Sequence, residues 1–184
     1  AFQTGERLLN FAGWNIDKVI VGRMLGEGGL GIYSVAYQLV QRPFSILNPI
    51  FTRVALPIFC SIQDDDQRLR RGYLLTVRTI SLLSFPIYLV MLLAADSMIF
   101  VLLGPQWKDA VPVLQALSIL GFVFSLGNPI GSLLLAKGRA DFGFYFNAIA
   151  LIVYAIAIYI GSGFGVIGVA IGFVIAATCF LFPL

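Results

Sequence analysis

Residues 142–184 contain no Asp, Glu, Lys or Arg, and this uncharged block constrains the fold more than any other feature. At about 1.5 Å of rise per helical residue it is long enough to cross a hydrocarbon layer of about 30 Å twice. A helix in a water-soluble bundle keeps one polar face, so a soluble core does not explain such a block. The remainder agrees: 59% of the residues are hydrophobic, 11% are charged, and mean hydropathy is +0.94, values outside the soluble range. The expected fold class is all-α, a multi-pass transmembrane helix bundle.

Turn signals and charges divide the chain into six segments. The first covers 5–25 and ends at "GEGGLG", where glycines break the helix. The second covers 30–62 and carries Pro43, Pro49 and Pro57, so a kinked helix is expected. The third begins after "QDDDQ", with Asp64, Asp65 or Asp66 as N-cap, and reaches about residue 103 with a kink at Pro86. "GPQWKDA" reads as a short interfacial loop. The fourth covers 109–136, interrupted at "GNPIG"; the fifth covers 141–160; the sixth follows "GSGFG". The small residues of "GVIGVAIG" let two helices approach closely. Arg7, the arginines 68, 70 and 71, Lys137 and Arg139 fall in alternate loops, whereas Arg23 and Lys108 fall on the other side. The first group therefore marks the cytoplasmic face.

The polar residues inside these segments carry the functional signal. Asn10, Trp14, Asp17 and Lys18 share one helical face, and a charge at bilayer depth costs about 2.5–3.5 kcal/mol on insertion scales. Asp17 and Lys18 are about 100° apart around a helix and pair poorly with each other, so each needs a partner on another helix or in water. Two readings stay open: a polar clamp between helices, or a lining for a hydrophilic path. In the second segment Gln38, Arg42, Ser45, Asn48 or Pro49, and Thr52 or Arg53 recur at helical spacing, a polar stripe through the membrane. Tyr33 and Tyr37, one turn apart, read as interface-belt residues or as platforms for stacking sugars.

Other classes are disfavoured. A formal charge of +3 without a dense basic patch gives no nucleic-acid partner. With no histidine, neither a Ser/His/Asp nor a Cys/His catalytic set is available, no GxxxxGKS/T phosphate loop occurs, and no pair of acids is poised for proton transfer. "DDDQRLRRGY" reads as a capped helix start, not a metal site. Cys60 and Cys179 have no metal-ligand spacing and read as two small buried hydrophobes. The expectation is a transporter, not an enzyme, with no cofactor or metal. A cation-rich interior lowers the cost of moving an anion, so the cargo expected is polar and anionic.

The ordered words "NIDKVIVGRMLGEGGLGIYSVAYQLVQRPFSILNPIFTRVALPIFCSIQDD", "RLRRGYL", "GPQWKDAVPVLQALS" and "GNPIGSLLLAKGRAD" resemble the polysaccharide transporter branch of the multidrug/oligosaccharidyl-lipid/polysaccharide flippase superfamily, nearest to lipopolysaccharide and colanic acid exporters. The resemblance implies two pseudo-symmetric helical lobes. About six helices here, residues 1–184, would supply most of the second lobe as a partial transmembrane transporter domain, with both ends cut from a longer chain. It implies an undecaprenyl-pyrophosphate-linked oligosaccharide as cargo, moved from the inner to the outer leaflet of the bacterial cytoplasmic membrane by alternating access. The implied partners are the lipid bilayer, a polysaccharide polymerase and export machinery. Under this reading Lys18, Arg42 and Arg53 attract pyrophosphate or acidic sugars, Asn15, Gln41 and Asn48 hydrogen-bond sugar hydroxyls, and Asp17 is a coupling-ion site. The alternatives are a cation-coupled drug or small-molecule exporter of the same superfamily, and a membrane scaffold or glycan polymerase/ligase component.

Overall fold

A computed structural model describes residues 2–181, with side chains over 15–139 and 141–181. The expectations placed on Arg7, Asn10 and Trp14 lie outside the described side chains. The described chain is built from six α-helices and one 3-10 helix: α1 (Phe2–Ser61), α2 (Asp66–Leu93), α3 (Ala95–Leu103), the 3-10 helix (Pro105–Ala110), α4 (Val111–Ala136), α5 (Ala140–Ser162) and α6 (Gly165–Leu181).

Helix α1 is not one rod. Gly26 has φ 71° and ψ −172°, a left-handed φ that suits a residue without Cβ. The Tyr33 hydroxyl lies 2.9 Å from an Asp17 carboxylate oxygen across 16 residues, a separation of about 24 Å along a straight helix. The two arms, 2–25 and 27–61, therefore fold back on each other as a helical hairpin. The break expected over "GEGGLG" is concentrated in this single residue, and the second arm starts several positions earlier than expected.

Proline proves a weaker breaker than the sequence suggests. Helix α2 continues through Pro86 and ends at Leu93, with the break at Ala94 (φ −101°, ψ 16°). Likewise α4 runs unbroken through Pro129 and "GNPIG", and "GPQWKDA" winds into a 3-10 helix instead of a loop. Neighbouring helices allow membrane helices to keep such prolines. The N-cap of α2 is Asp65, whose carboxylate accepts from the amides of Gln67 and Arg68 at 3.1 and 3.0 Å.

Helix α4 forms the centre, packing against α1, α2 and α6, while α5 pairs with α6 and α1. Leu114, Leu117 and Leu120 of α4 are buried with Val40, Tyr88, Met91, Ile158 and Phe173. Gly121 permits the closest approach: a Cβ there would lie 2.7 Å from Val40 and overlap the Tyr88 ring. The Tyr88 hydroxyl then donates to the Val40 carbonyl at 3.2 Å. The hydroxyls of Ser118 and Ser125 donate to carbonyls four residues earlier, at 2.7 and 2.9 Å, so these two buried donors are satisfied, whereas the buried Ser84 hydroxyl of α2 meets no partner among the described residues.

The outward faces are apolar. Leu82, Val90 and Leu93 of α2, Ile149, Ile152 and Ile156 of α5, and Ile167, Ile171 and Ile175 of α6 are exposed, the last three on one helical face. Such surfaces are stable against lipid, not water. Four segments, Asn15–Ser61, Asp66–Leu93, Pro105–Ala136 and Asp141–Ser162, are long and apolar enough to cross a membrane, and the first contains the hairpin. This is a multi-pass membrane protein. Cys60 and Cys179 are exposed free thiols rather than buried ones; a weakly polar thiol on an outward helix face is tolerated by hydrocarbon.

Lys137, after α4, reaches Asp66, at the start of α2, at 2.8 Å. The two loops grouped by their basic residues therefore lie at one end of the bundle. At the other end Gly31, beside the hairpin turn, faces the Trp107 ring, from which a Cβ on Gly31 would lie 3.9 Å. Both charges of the Lys137–Asp66 pair are open to water, where screening and side-chain entropy cancel most of the attraction. Asp66→Asn is therefore expected to leave the thermal unfolding temperature of the purified protein unchanged within error; a clear drop would show that the pair holds the α2–α4 end together.

Candidate functional site

The hairpin creates the main polar cluster. Asp17 is 1% exposed. Its carboxylate accepts from the Tyr33 hydroxyl at 2.9 Å and from the Lys18 amide at 2.8 Å. Tyr33 stacks on Tyr37 with centroids 5.7 Å apart and ring planes 20° apart. The Lys18 ammonium sits 5.3 Å from the centroid of the Tyr37 ring, a cation–π contact. The Tyr37 hydroxyl in turn accepts from the Gln41 amide at 2.9 Å. Asp17 and Lys18 thus diverge from each other, as their angular spacing requires, and each finds its partner on the opposite arm.

Two expectations change here. Tyr33 and Tyr37 are 0% and 4% exposed, so they are neither an interface belt nor open platforms for a sugar. They are the core of the hairpin, and their hydroxyls and faces receive the polar groups of the first arm. Tyr33 is also the partner that sequence reasoning missed. The signal available was its position: Asp17 and Tyr33 are nearly equidistant from Gly26, the pairing expected if the chain reverses there.

The stripe on the second arm remains open. Gln38, Arg42, Ser45, Pro49 and Arg53 are all exposed and recur at four, three, four and four residues, a single helix face. Gln41 and Asn48 border it, partly buried, and Asn48 accepts from the Thr52 hydroxyl at 3.1 Å. Asn15 and Lys18 are partly buried on the first arm. The structure therefore brings Lys18 and Gln41 together around Tyr37, strings Arg42, Asn48 and Arg53 along one arm, and encloses Asp17 beneath them. From Tyr37, under Lys18, to Arg53 the helix rises about 24 Å, so the cations are spread over most of the membrane thickness.

Helix α2 adds one more cation. Its Tyr88 meets Val40 and its Gly72 faces Phe59 and Ile62, so the two helices run antiparallel, and Arg78 falls level with Arg53. Arg78 is exposed and begins the fourth turn of α2, deeper than a headgroup contact requires. Arg68, by contrast, is held at the helix start by Asp65 at 3.1 Å. Among the described residues, neither Arg42, Arg53 nor Arg78 forms an ion pair with an acid, and no group of three His, Cys, Asp or Glu is arranged to hold a metal ion.

A membrane-spanning hairpin with an enclosed acid and an open, basic polar stripe is the setting in which the likeness to known proteins can be weighed. Residues 1–112 match the family model described as polysaccharide biosynthesis protein. The chain belongs to this family. Among curated relatives, the teichuronic acid biosynthesis protein TuaB of Bacillus subtilis is 42% identical over 86% of this chain and 33% of its own length. The lipopolysaccharide biosynthesis protein WzxC of Escherichia coli is 37% identical over 95% of this chain and 36% of its own length. The succinoglycan biosynthesis transport protein ExoT of Rhizobium meliloti is 27% identical over 62% of this chain and 23% of its own length. The chain thus spans about a third of the length of the first two. No solved structure matches it. Membership in the polysaccharide biosynthesis family agrees with the resemblance seen in the sequence words, most of which lie inside the matched residues.

Proposed function

We propose that this chain is one part of an exporter that moves a lipid-linked polysaccharide unit across the bacterial cytoplasmic membrane. The observation that carries the reading is the exposed stripe of Gln38, Arg42, Ser45 and Arg53, with Arg78 level with its inner end. Cations exposed at this depth are costly in lipid and are stabilised if they line an aqueous path or meet an anion. An undecaprenyl-pyrophosphate-linked oligosaccharide supplies both features: a dianionic linkage for Lys18, Arg42 and Arg53, and hydroxyls for Asn15, Gln41 and Asn48. The printed names of the relatives, biosynthesis proteins of teichuronic acid and lipopolysaccharide and a succinoglycan transport protein, support the same cargo class.

Movement from the inner to the outer leaflet by alternating access then requires a second wall facing the stripe, and Gly26 provides a flexible point between the arms on this one. Asp17 is proposed as the coupling-ion site, because a cation bound there competes with the Tyr33 hydroxyl and alters the contact between the arms. The membrane is the bacterial inner membrane, with the Lys137–Asp66 end in the cytoplasm, and a polysaccharide polymerase and export machinery act downstream. The drug-exporter alternative is less favoured, since the open face offers bases where a cationic drug needs acids.

The test is complementation by the full-length protein in a strain lacking its own polysaccharide exporter, at equal membrane abundance. Combining Lys18→Ala, Arg42→Ala and Arg53→Ala is expected to lower surface polysaccharide at least about tenfold, equivalent to about 1.4 kcal/mol of lost stabilisation of the moving anion. Wild-type polysaccharide from that triple variant would sink the cationic path.

A further inference from the structure

A second candidate site lies at the end of the bundle remote from Lys137 and Asp66. A cavity of about 500 Å³ is lined by Asp96, Ser97, Phe100, Gly104 and Lys108, among others, where α3 turns into the 3-10 helix. That volume suits a small polar group with part of its tail. We propose that it binds the headgroup of a bilayer phospholipid that carries both an ammonium and a phosphate, of the phosphatidylethanolamine type. This goes beyond the export reading and uses none of the residues assigned to the cargo.

Three observations point to this ligand. The first is charge: Asp96 and Lys108 line one cavity, both are exposed, and among the described residues neither forms an ion pair. An acid and a base held apart in one cleft complement a zwitterion, the carboxylate taking the ammonium and the lysine the phosphate. The second is depth. Helix α4 has 26 residues and rises about 39 Å between the Lys137 end and the cavity. A bilayer with its headgroup layers is about 40–45 Å thick, so a cavity at this level meets the opposite headgroup layer. The third is the rim. Phe100 and Val101, which line the cavity, are 64% and 78% exposed, an apolar margin against which acyl chains can lie. Ala95 and Ile99, 0% and 1% exposed, fix α3 to the bundle, so the cleft is held by packing.

The site commits to a membrane lipid and not to a soluble phosphoamine, because the apolar margin gives the latter nothing to contact. The probes are phosphatidylethanolamine, phosphatidylglycerol and free phosphoethanolamine, each titrated against the delipidated full-length protein in detergent and read by native mass spectrometry. Phosphatidylethanolamine is expected to bind at least about fivefold more tightly than phosphatidylglycerol, and free phosphoethanolamine at least about a hundredfold more weakly than the lipid. Asp96→Asn is expected to remove the preference between the two lipids, and Lys108→Gln to weaken both. Both residues are exposed, so both variants should unfold at the wild-type temperature. Equal binding of the two lipids to the wild type, an unchanged preference in Asp96→Asn, or free phosphoethanolamine binding as tightly as the lipid would each overturn the proposal.

Discussion

Gly168→Leu is expected to destroy the pairing of α5 and α6 and to cost at least about 3 kcal/mol, the upper part of the range for overpacked sites. A Cβ on Gly168 overlaps the Gly161 carbonyl and lies 2.6 Å from the Phe164 Cβ, while one on Gly172 lies 2.8 Å from the Ala157 carbonyl oxygen. These obstacles are mainly backbone, so no side-chain rotation relieves them. Within a membrane the loss is not softened by a hydrophobic term, because lipid tails solvate a separated helix as well as another helix does. Gly131 supplies the control: it lies within α4 and a Cβ there meets nothing within 4 Å. Gly131→Ala should be neutral or stabilise by about 0.5–1 kcal/mol, through removal of a flexible residue from a helix. Thermal unfolding of the full-length protein in detergent, with membrane abundance alongside, separates the two. An unfolding temperature for Gly168→Leu equal to that of Gly131→Ala would rule out the close backbone contact.

This small-residue contact was legible in the sequence, as were the helical class, the grouping of the basic loops and the acidic cap of α2. Each depends on a local rule: uncharged length, small residues at helical spacing, or a carboxylate three residues before a free amide. What was not legible depended on where separate segments meet. Pro86 marked the place to look for a distortion by its chemistry, but the helix continues through it and the break falls at Ala94. Tyr33 and Tyr37 have the composition of interface residues, and only the reversal at Gly26 turns them inward against Asp17 and Lys18. In the same way Arg42 and Arg53 could be placed on one face by periodicity, whereas the depth match of Arg53 with Arg78 needed the antiparallel packing of α2 on the second arm. The cysteines illustrate the inverse error: an apolar side chain in a membrane bundle is as stable outside as inside, so hydrophobicity does not predict burial.

The Asp17–Tyr33 contact is expected to be the strongest single polar interaction in the hairpin. A hydrogen bond to an ionised group contributes about 1.5–3 kcal/mol, and a buried donor left without a partner costs about 1–3 kcal/mol. Asp17→Ala leaves the Tyr33 hydroxyl unpaired at a position with no exposure, so it should destabilise the protein by at least about 2 kcal/mol. Tyr33→Phe keeps the ring stacked on Tyr37 but leaves Asp17, among the described residues, with backbone amides alone, chiefly that of Lys18, and should cost nearly as much. The double variant should cost clearly less than the sum, with a coupling energy of about 1.5 kcal/mol or more in a double-mutant cycle. Additive costs would mean that the two residues act separately and that the arms are held by packing alone. The same contact separates clamp from coupling site. Asp17→Asn preserves shape and can still accept from Tyr33, so a clamp tolerates it, whereas a cation site loses the charge it needs. If transport by this variant in vesicles keeps the wild-type dependence on the ion gradient, Asp17 is a clamp across Gly26; if export continues but no longer responds to the gradient, the coupling role stands.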